Sequence, residues 1–138
     1  MNEDADTNDG QAAWNGTPRL FALRGATTVK ANDAGQVVEA TEELLVEILK
    51  RNDLAPAALV SCIFTCTGDL DAEFPAVAAR KIGLNQVPLL CARELNVPSS
   101  LPLAIRILLH YYAPADHMSK HVYLRDAVTL RADLTAAQ

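Results

Sequence analysis

Residues 59–66, Leu-Val-Ser-Cys-Ile-Phe-Thr-Cys, are apolar on both strand parities, and so are residues 103–109, Leu-Ala-Ile-Arg-Ile-Leu-Leu. A strand with apolar side chains on both faces is expected to be covered on both faces. Two such runs in one chain place a sheet at the centre of the fold. A helix follows from a different period: Val37, Thr41, Leu44, Leu45 and Ile48 recur at helical spacing, with Asn32 or Asp33 before them as N-cap. Glu39, Glu42, Glu43 and Glu47 lie mainly on the other side and read as a solvated face, while Lys50 and Arg51 suit the negative end of the helix dipole. Arg19–Lys30 reads as a strand interrupted at Gly25-Ala26. Thr67-Gly68-Asp69 turns the chain, and Asp71 is the expected cap of a short helix running through Phe74-Pro75 to Lys81 and ended by Gly83. Val87–Cys91 is a short strand, Leu101–Tyr112 a long one, and His121–Leu124 with Ala127–Leu130 make a last strand or two. The expected fold class is α/β (α+β), a mixed five-stranded sheet with two main helices.

The 138 residues suffice for one buried core. The net charge of −5 is uneven: residues 1–18 hold −4, leaving −1 on residues 19–138. The first segment is polar and acidic and reads as a disordered extension, with Trp14 as its one large apolar side chain; residues 19–138 read as the folded domain. A nearly neutral domain without a basic tract is not expected to bind nucleic acid. No stretch is apolar enough to span a membrane, and the N-terminus lacks the pattern of a secretory signal. Cys62, Cys66 and Cys91 match no common zinc spacing and read as reduced thiols of a cytoplasmic protein. His110, His117 and His121 likewise lack metal-motif spacing. No metal and no cofactor are expected.

Arg106 carries the most chemical information. It interrupts an otherwise apolar strand, where an unpaired guanidinium would cost several kcal/mol on burial. Its partner is either a carboxylate of this chain, such as Glu94, or a bound anion. Arg24 poses the same question beside Gly25, where another group can approach the backbone closely. Arg131 ends the run Val128-Thr-Leu, and Arg80 lies on the short helix. Arginine is the side chain best shaped to grip carboxylates in a fork, so a dicarboxylate ligand would account for four of them beside apolar runs. His110 and Tyr112 share the parity of Arg106, with packing as their simplest role. Cys91 has no identifiable base nearby in sequence and reads as a buried thiol rather than a nucleophile. No phosphate loop and no nucleophile elbow is present.

The segment Leu23-Arg-Gly-Ala-Thr-Thr-Val29 resembles the first strand of AroH-class chorismate mutases. Four more blocks follow in that family's order: Asp69–Ala76, Val87–Glu94, Ile105-Arg106, and His121–Leu124 with Leu130-Arg131. The resemblance runs from about Phe21 to Leu134. It implies a chorismate mutase-like fold assembled as a homotrimeric pseudo α/β-barrel, with active sites in the clefts between subunits. It further implies that one subunit supplies Arg24, Cys91, Glu94, Arg106 and Tyr123, with Cys91 near Glu94. The neighbour would supply Phe74, Arg80, Leu130 and Arg131. Val77 stands where a basic residue is common, and Ala132 where proline is usual, so a contact at the cleft mouth and the set of the C-terminal tail depart from the family pattern.

The implied reaction turns chorismate into prephenate, within phenylalanine and tyrosine biosynthesis, by a concerted unimolecular shift. It requires no nucleophile, metal or proton transfer, in keeping with the missing motifs. Two other readings remain open at the level of sequence: an imine deaminase of the RidA type on a similar trimer, and a non-catalytic trimer that binds an aromatic acid.

Overall fold

The structure, a computed structural model, describes residues 17–130; the acidic extension up to residue 16, and Arg131 and Ala132, lie outside the described residues. The elements are β1 (Pro18–Thr28), α1 (Ala34–Arg51), β2 (Leu59–Cys66), α2 (Ala76–Lys81), β3 (Leu89–Arg93), β4 (Ala104–Pro114) and β5 (Val122–Tyr123). The strands form one sheet in the order β3-β2-β4-β1-β5. β4 runs antiparallel to both β1 and β2, while β3 is parallel to β2 and β5 parallel to β1. The mixed five-stranded sheet and two helices expected from the sequence are present.

α1 starts at Asp33, whose carboxylate accepts the Gln36 N–H at 3.0 Å and satisfies one of the donors left open by the first turn. Its apolar stripe, Val37, Ala40, Thr41, Leu44, Leu45 and Ile48, is buried against the sheet. Asn52 closes the other end. Its side-chain amide donates to Ile48 O and to Lys120 O, both at 3.0 Å, and its Oδ1 accepts Lys120 N–H at 2.8 Å. One buried side chain thus ties the end of α1 to the segment that leads into β5.

Alternation along β4 decides which side of the sheet is core. Ile105, Ile107, Leu109, Tyr111 and Ala113 are buried beneath the helices, with Leu23 of β1 and Phe64 of β2. The opposite parity holds Arg106, Leu108, His110 and Tyr112 and is not covered by this chain: Tyr112 is 45% exposed and its register partner Leu20 is 48% exposed. The expectation of burial on both faces therefore fails within one chain. β2 behaves alike, with Cys62 and Phe64 in the core and Ile63 and Thr65 only half-buried.

Other local expectations are corrected as well. β1 is continuous through Gly25, which pairs with Ile107 and Val122. The group that approaches Gly25 closely is α1, since a Cβ there would lie 2.7 Å from Ile48 Cδ1. α2 has Pro75 at its N-cap, and Asp71 instead pairs with Asn32 across the chain. Gly83, at φ +94°, ends that helix as expected. Residues 125–130 form a 3-10 helix rather than a strand, and β5 pairs with β1 only through Gly25 and Ala26.

Candidate functional site

Strand register builds the site on the uncovered face. Ala26 of β1 lies opposite Arg106 of β4 and also opposite Tyr123 of β5. Arg106 lies opposite Thr65 of β2, which lies opposite Ala92 of β3. One row therefore crosses all five strands, Tyr123-Ala26-Arg106-Thr65-Ala92. The neighbouring row places Arg24 beside Leu108, Ile63 and Leu90. A cleft of about 300 Å³ lies over these rows, lined by Arg24, Ala26, Thr65, Arg106, Tyr123 and Leu130 among others. Ala26 is the small residue between two long ones, so it forms a low floor between Arg106 and Tyr123.

Glu94 reaches Arg106 from the end of β3. Its backbone N–H donates to Cys66 O at 2.9 Å, which continues the β2–β3 pairing by one residue and points the side chain to the Arg106 side. Arg106 Nε then sits 3.1 Å from Glu94 Oε2. Thr65 Oγ1 donates to the same oxygen at 2.6 Å. Among the described residues Oε1 accepts no hydrogen bond. Arg106 meets this oxygen through Nε, and among the described residues neither terminal nitrogen of its guanidinium donates a hydrogen bond. The side chain is 48% exposed, whereas that of Glu94 is 14% exposed. The guanidinium is thus not buried by this chain alone, contrary to the expectation from its apolar strand, and its first partner is the carboxylate.

Arg24 is held through its backbone: its N–H donates to Nδ1 of His121 at 3.0 Å, just before β5. Burial, and then the Arg24 charge, push the His121 pKa down, so that the ring remains a neutral acceptor at neutral pH. At the far side Arg125 bonds Glu43 at 3.0 Å and Thr28 O at 3.4 Å, which anchors the 3-10 turn that carries Leu130 over the cleft. Leu130, expected from a neighbouring subunit, lines the same cleft as Arg24, Arg106 and Tyr123 of its own chain. Arg131, the next residue, lies outside the described residues.

Cys91, Phe74 and Arg80 fall elsewhere. Cys91 pairs in register with the core residue Phe64, so its side chain is on the helix side of β3 and packs against the core rather than beside Glu94. It lines a second cleft, of about 350 Å³, together with Phe74, Asp71, Glu73 and Arg93. Phe74 is 67% exposed, an unusual position for a large aromatic side chain. Arg80 is exposed in the last turn of α2 and lines neither cleft. One chain therefore presents two separate clefts, one lined by Arg24 and Arg106 and one with an exposed aromatic ring.

The chemistry available is electrostatic. Burial pushes the thiols of Cys62 and Cys66 up to about 12 and about 11, so both are protonated at neutral pH and neither is a nucleophile. Among the described residues no group of three His, Cys, Asp or Glu side chains could hold a metal ion, and no helix is long and apolar enough to cross a membrane. Two guanidiniums, a phenol and an oriented carboxylate can bind an anionic molecule and polarise it. Thr65 is the residue that the sequence did not single out. A threonine in an apolar strand looks like any β-former, and only its register opposite Arg106 distinguishes it.

Residues 20–134 match the protein family described as chorismate mutase type I. The chain is 48% identical over 119 residues to the chorismate mutase AroH of Thermus thermophilus, covering 84% of this chain and 97% of that protein. It is 36% identical over 119 residues to the chorismate mutase AroH of Bacillus subtilis, covering 84% of this chain and 93% of that one. Its fold superposes on a solved chorismate mutase from Clostridium thermocellum with a TM-score of 0.76 and 44% sequence identity, over 80% of this chain and 99% of the other.

Proposed function

The chain belongs to the type I chorismate mutase family, and from that premise we infer how its cleft performs the reaction. The protein is an isomerase that rearranges chorismate to prephenate, a step of aromatic amino-acid biosynthesis. The observation that carries the assignment of residues is the Arg106–Glu94 pair, made through Nε and one carboxylate oxygen only. Such a pair is held in place yet keeps groups for a ligand.

Chorismate is a dicarboxylate whose enolpyruvyl arm must fold over its ring before the C–C bond can form. Most of the task is orientation, which an enzyme supplies by fixing both ends of the flexible molecule. Arg24 and Tyr123 hold the arm's carboxylate. Arg106 directs its terminal nitrogens at the ether oxygen, where negative charge develops as the C–O bond stretches. Glu94 accepts the ring hydroxyl and favours the positive charge that develops on the ring. A guanidinium already balanced by Glu94 needs little reorganisation during the reaction. Leu130 walls the cleft.

The site is completed by a second copy of the chain in a homotrimer. Two features support this reading. The uncovered sheet face carries Leu20, Leu90 and Tyr112, all well exposed in the single chain, and exposed apolar side chains grouped on one face suit burial against another subunit. The exposed Phe74 sits in a cleft of its own, away from Arg106, so it meets the substrate only if another subunit presents it, and Arg80 goes with it on the same short segment. Cys91 shares the Phe74 cleft and goes with that half. The enzyme works in the cytoplasm without a metal or cofactor.

The test is direct. Purified protein, treated exhaustively with a chelator, is given chorismate, and its absorbance is followed while the product is identified. Stoichiometric prephenate without pyruvate release is expected. Activity that vanishes on chelation and returns with magnesium or zinc would overturn the mechanism.

A further inference from the structure

We propose that Thr65 is a positioning residue for the rearrangement, holding Glu94 in the rotamer that serves the substrate. The proposal rests on the reading of Glu94 and Arg106 as site residues. Three strands deliver the arrangement. Thr65 on β2 is in register with Arg106 on β4 and with Ala92 on β3, two residues before Glu94. The Glu94 N–H bond to Cys66 O fixes the carboxylate's backbone, but a glutamate still has three side-chain torsions. Thr65 Oγ1 donates a hydrogen bond to Oε2 at 2.6 Å, while Arg106 Nε lies 3.1 Å from the same oxygen as its ion-pair partner.

The consequence is a division of labour within one carboxylate. Oε2 is engaged by Thr65 and Arg106, and Oε1 is left for the substrate. Without the hydroxyl, Oε2 has only Arg106, and the carboxylate can rotate to chelate the guanidinium through both oxygens. That fork–fork geometry is one that arginine–carboxylate pairs frequently adopt. It would draw Arg106 away from the ether oxygen and take Oε1 from the ring hydroxyl together. Thr65 thus keeps the ion pair single-toothed. Threonine suits the task, because its branched Cβ restricts χ1 in a strand and so aims the hydroxyl.

Thr65→Val removes the hydroxyl at nearly constant shape, and Thr65→Ser keeps it. Both are assayed alone, and Thr65→Val is also made in a Glu94→Ala background, with the melting temperature of every variant recorded. Thr65→Val is expected to lower kcat about tenfold to a hundredfold with KM changed little, as for loss of one hydrogen bond to a charged group that matters mainly in the transition state. Thr65→Ser should recover most of that loss. In the Glu94→Ala background the same Thr65→Val change should alter kcat/KM by less than about twofold, since residues acting through one group are not additive. An equal loss in both backgrounds, or no recovery by serine, overturns the proposal in favour of a packing role. Glu94→Ala that is crippled while Thr65→Val is fully active overturns it alone. Glu94→Ala with undiminished turnover removes the reading of the site itself, and the proposal with it.

Discussion

The imidazole of His121 accepts the backbone N–H of Arg24 through Nδ1 at 3.0 Å, across 97 residues of sequence. This bond needs an unprotonated ring nitrogen. The unfolded chain titrates that ring near 6.5, whereas burial and the Arg24 charge set the folded value lower. The unfolded state therefore binds the proton first, so the stability contributed is complete above about pH 6.5 and is lost as the pH falls through the folded value. His121→Asn retains an acceptor that does not titrate. Between about pH 7.5 and about pH 5, its melting temperature should fall less than that of the parent protein. Part of the fall will remain, because burial and Lys120 also push the pKa of His117 down. Parallel curves for parent and variant would show that the bond does not report on the ring's charge.

Arg106 is asked for the largest single electrostatic contribution. A cation aimed at a developing oxyanion is worth about 3–4 kcal/mol, roughly a few hundredfold or more in rate. Arg106→Ala should lose at least that in kcat/KM. Arg106→Lys should recover little, because an ammonium cannot keep the Glu94 contact and still present a planar fork to the substrate. The fold should survive, since the side chain is 48% exposed. A folded Arg106→Ala protein with near-normal turnover would remove Arg106 from the mechanism.

Gly25 tests the packing beneath the site. A methyl group there meets Ile48 Cδ1 at 2.7 Å, and Ile48 is fully buried in α1. Gly25→Ala should destabilise the protein by about 1–3 kcal/mol in denaturant titration, the usual cost of overpacking. Ile48→Val removes the opposing carbon and alone costs about 0.5–1.5 kcal/mol. Combined, the two changes should cost less than their sum. Strict additivity would mean that the helix, and not this one methyl group, yields to the alanine.

Sharing of the site between chains is open to complementation. Arg106→Ala damages one cleft, and Phe74→Ala with Arg80→Ala damages the other part. Each protein alone should be poorly active. After unfolding, mixing and refolding, some inter-subunit sites receive both intact halves, and turnover should exceed the sum of the separate proteins. Merely additive activity, in a sample that mass spectrometry shows to contain mixed trimers, would place each site within one chain.

Sequence alone determined what depends on near neighbours. The α1 stripe from Val37 to Ile48, a cap at Asn32 or Asp33 and the turn at Gly83 were legible because helix period, capping and φ are local properties, and the structure chose Asp33. Arg106 drew attention because a guanidinium among apolar side chains needs a partner. The ordered blocks from Leu23 to Arg131 pointed to the family, which the relatives bear out. Tertiary structure decided the rest. Residues 103–109 mix apolar side chains into both parities, and only the packing shows that α1 and α2 cover the parity of Ile105 and Ile107 and leave that of Arg106, His110 and Tyr112 open. Whether Cys91 faces Glu94 or the core turns on its alignment with Phe64, and a shift of one residue in strand pairing would reverse it. The row that joins Tyr123, Ala26, Arg106 and Thr65 likewise exists only through pairings between distant strands. Register is set by all the pairings of a sheet together, and no short stretch of sequence carries it.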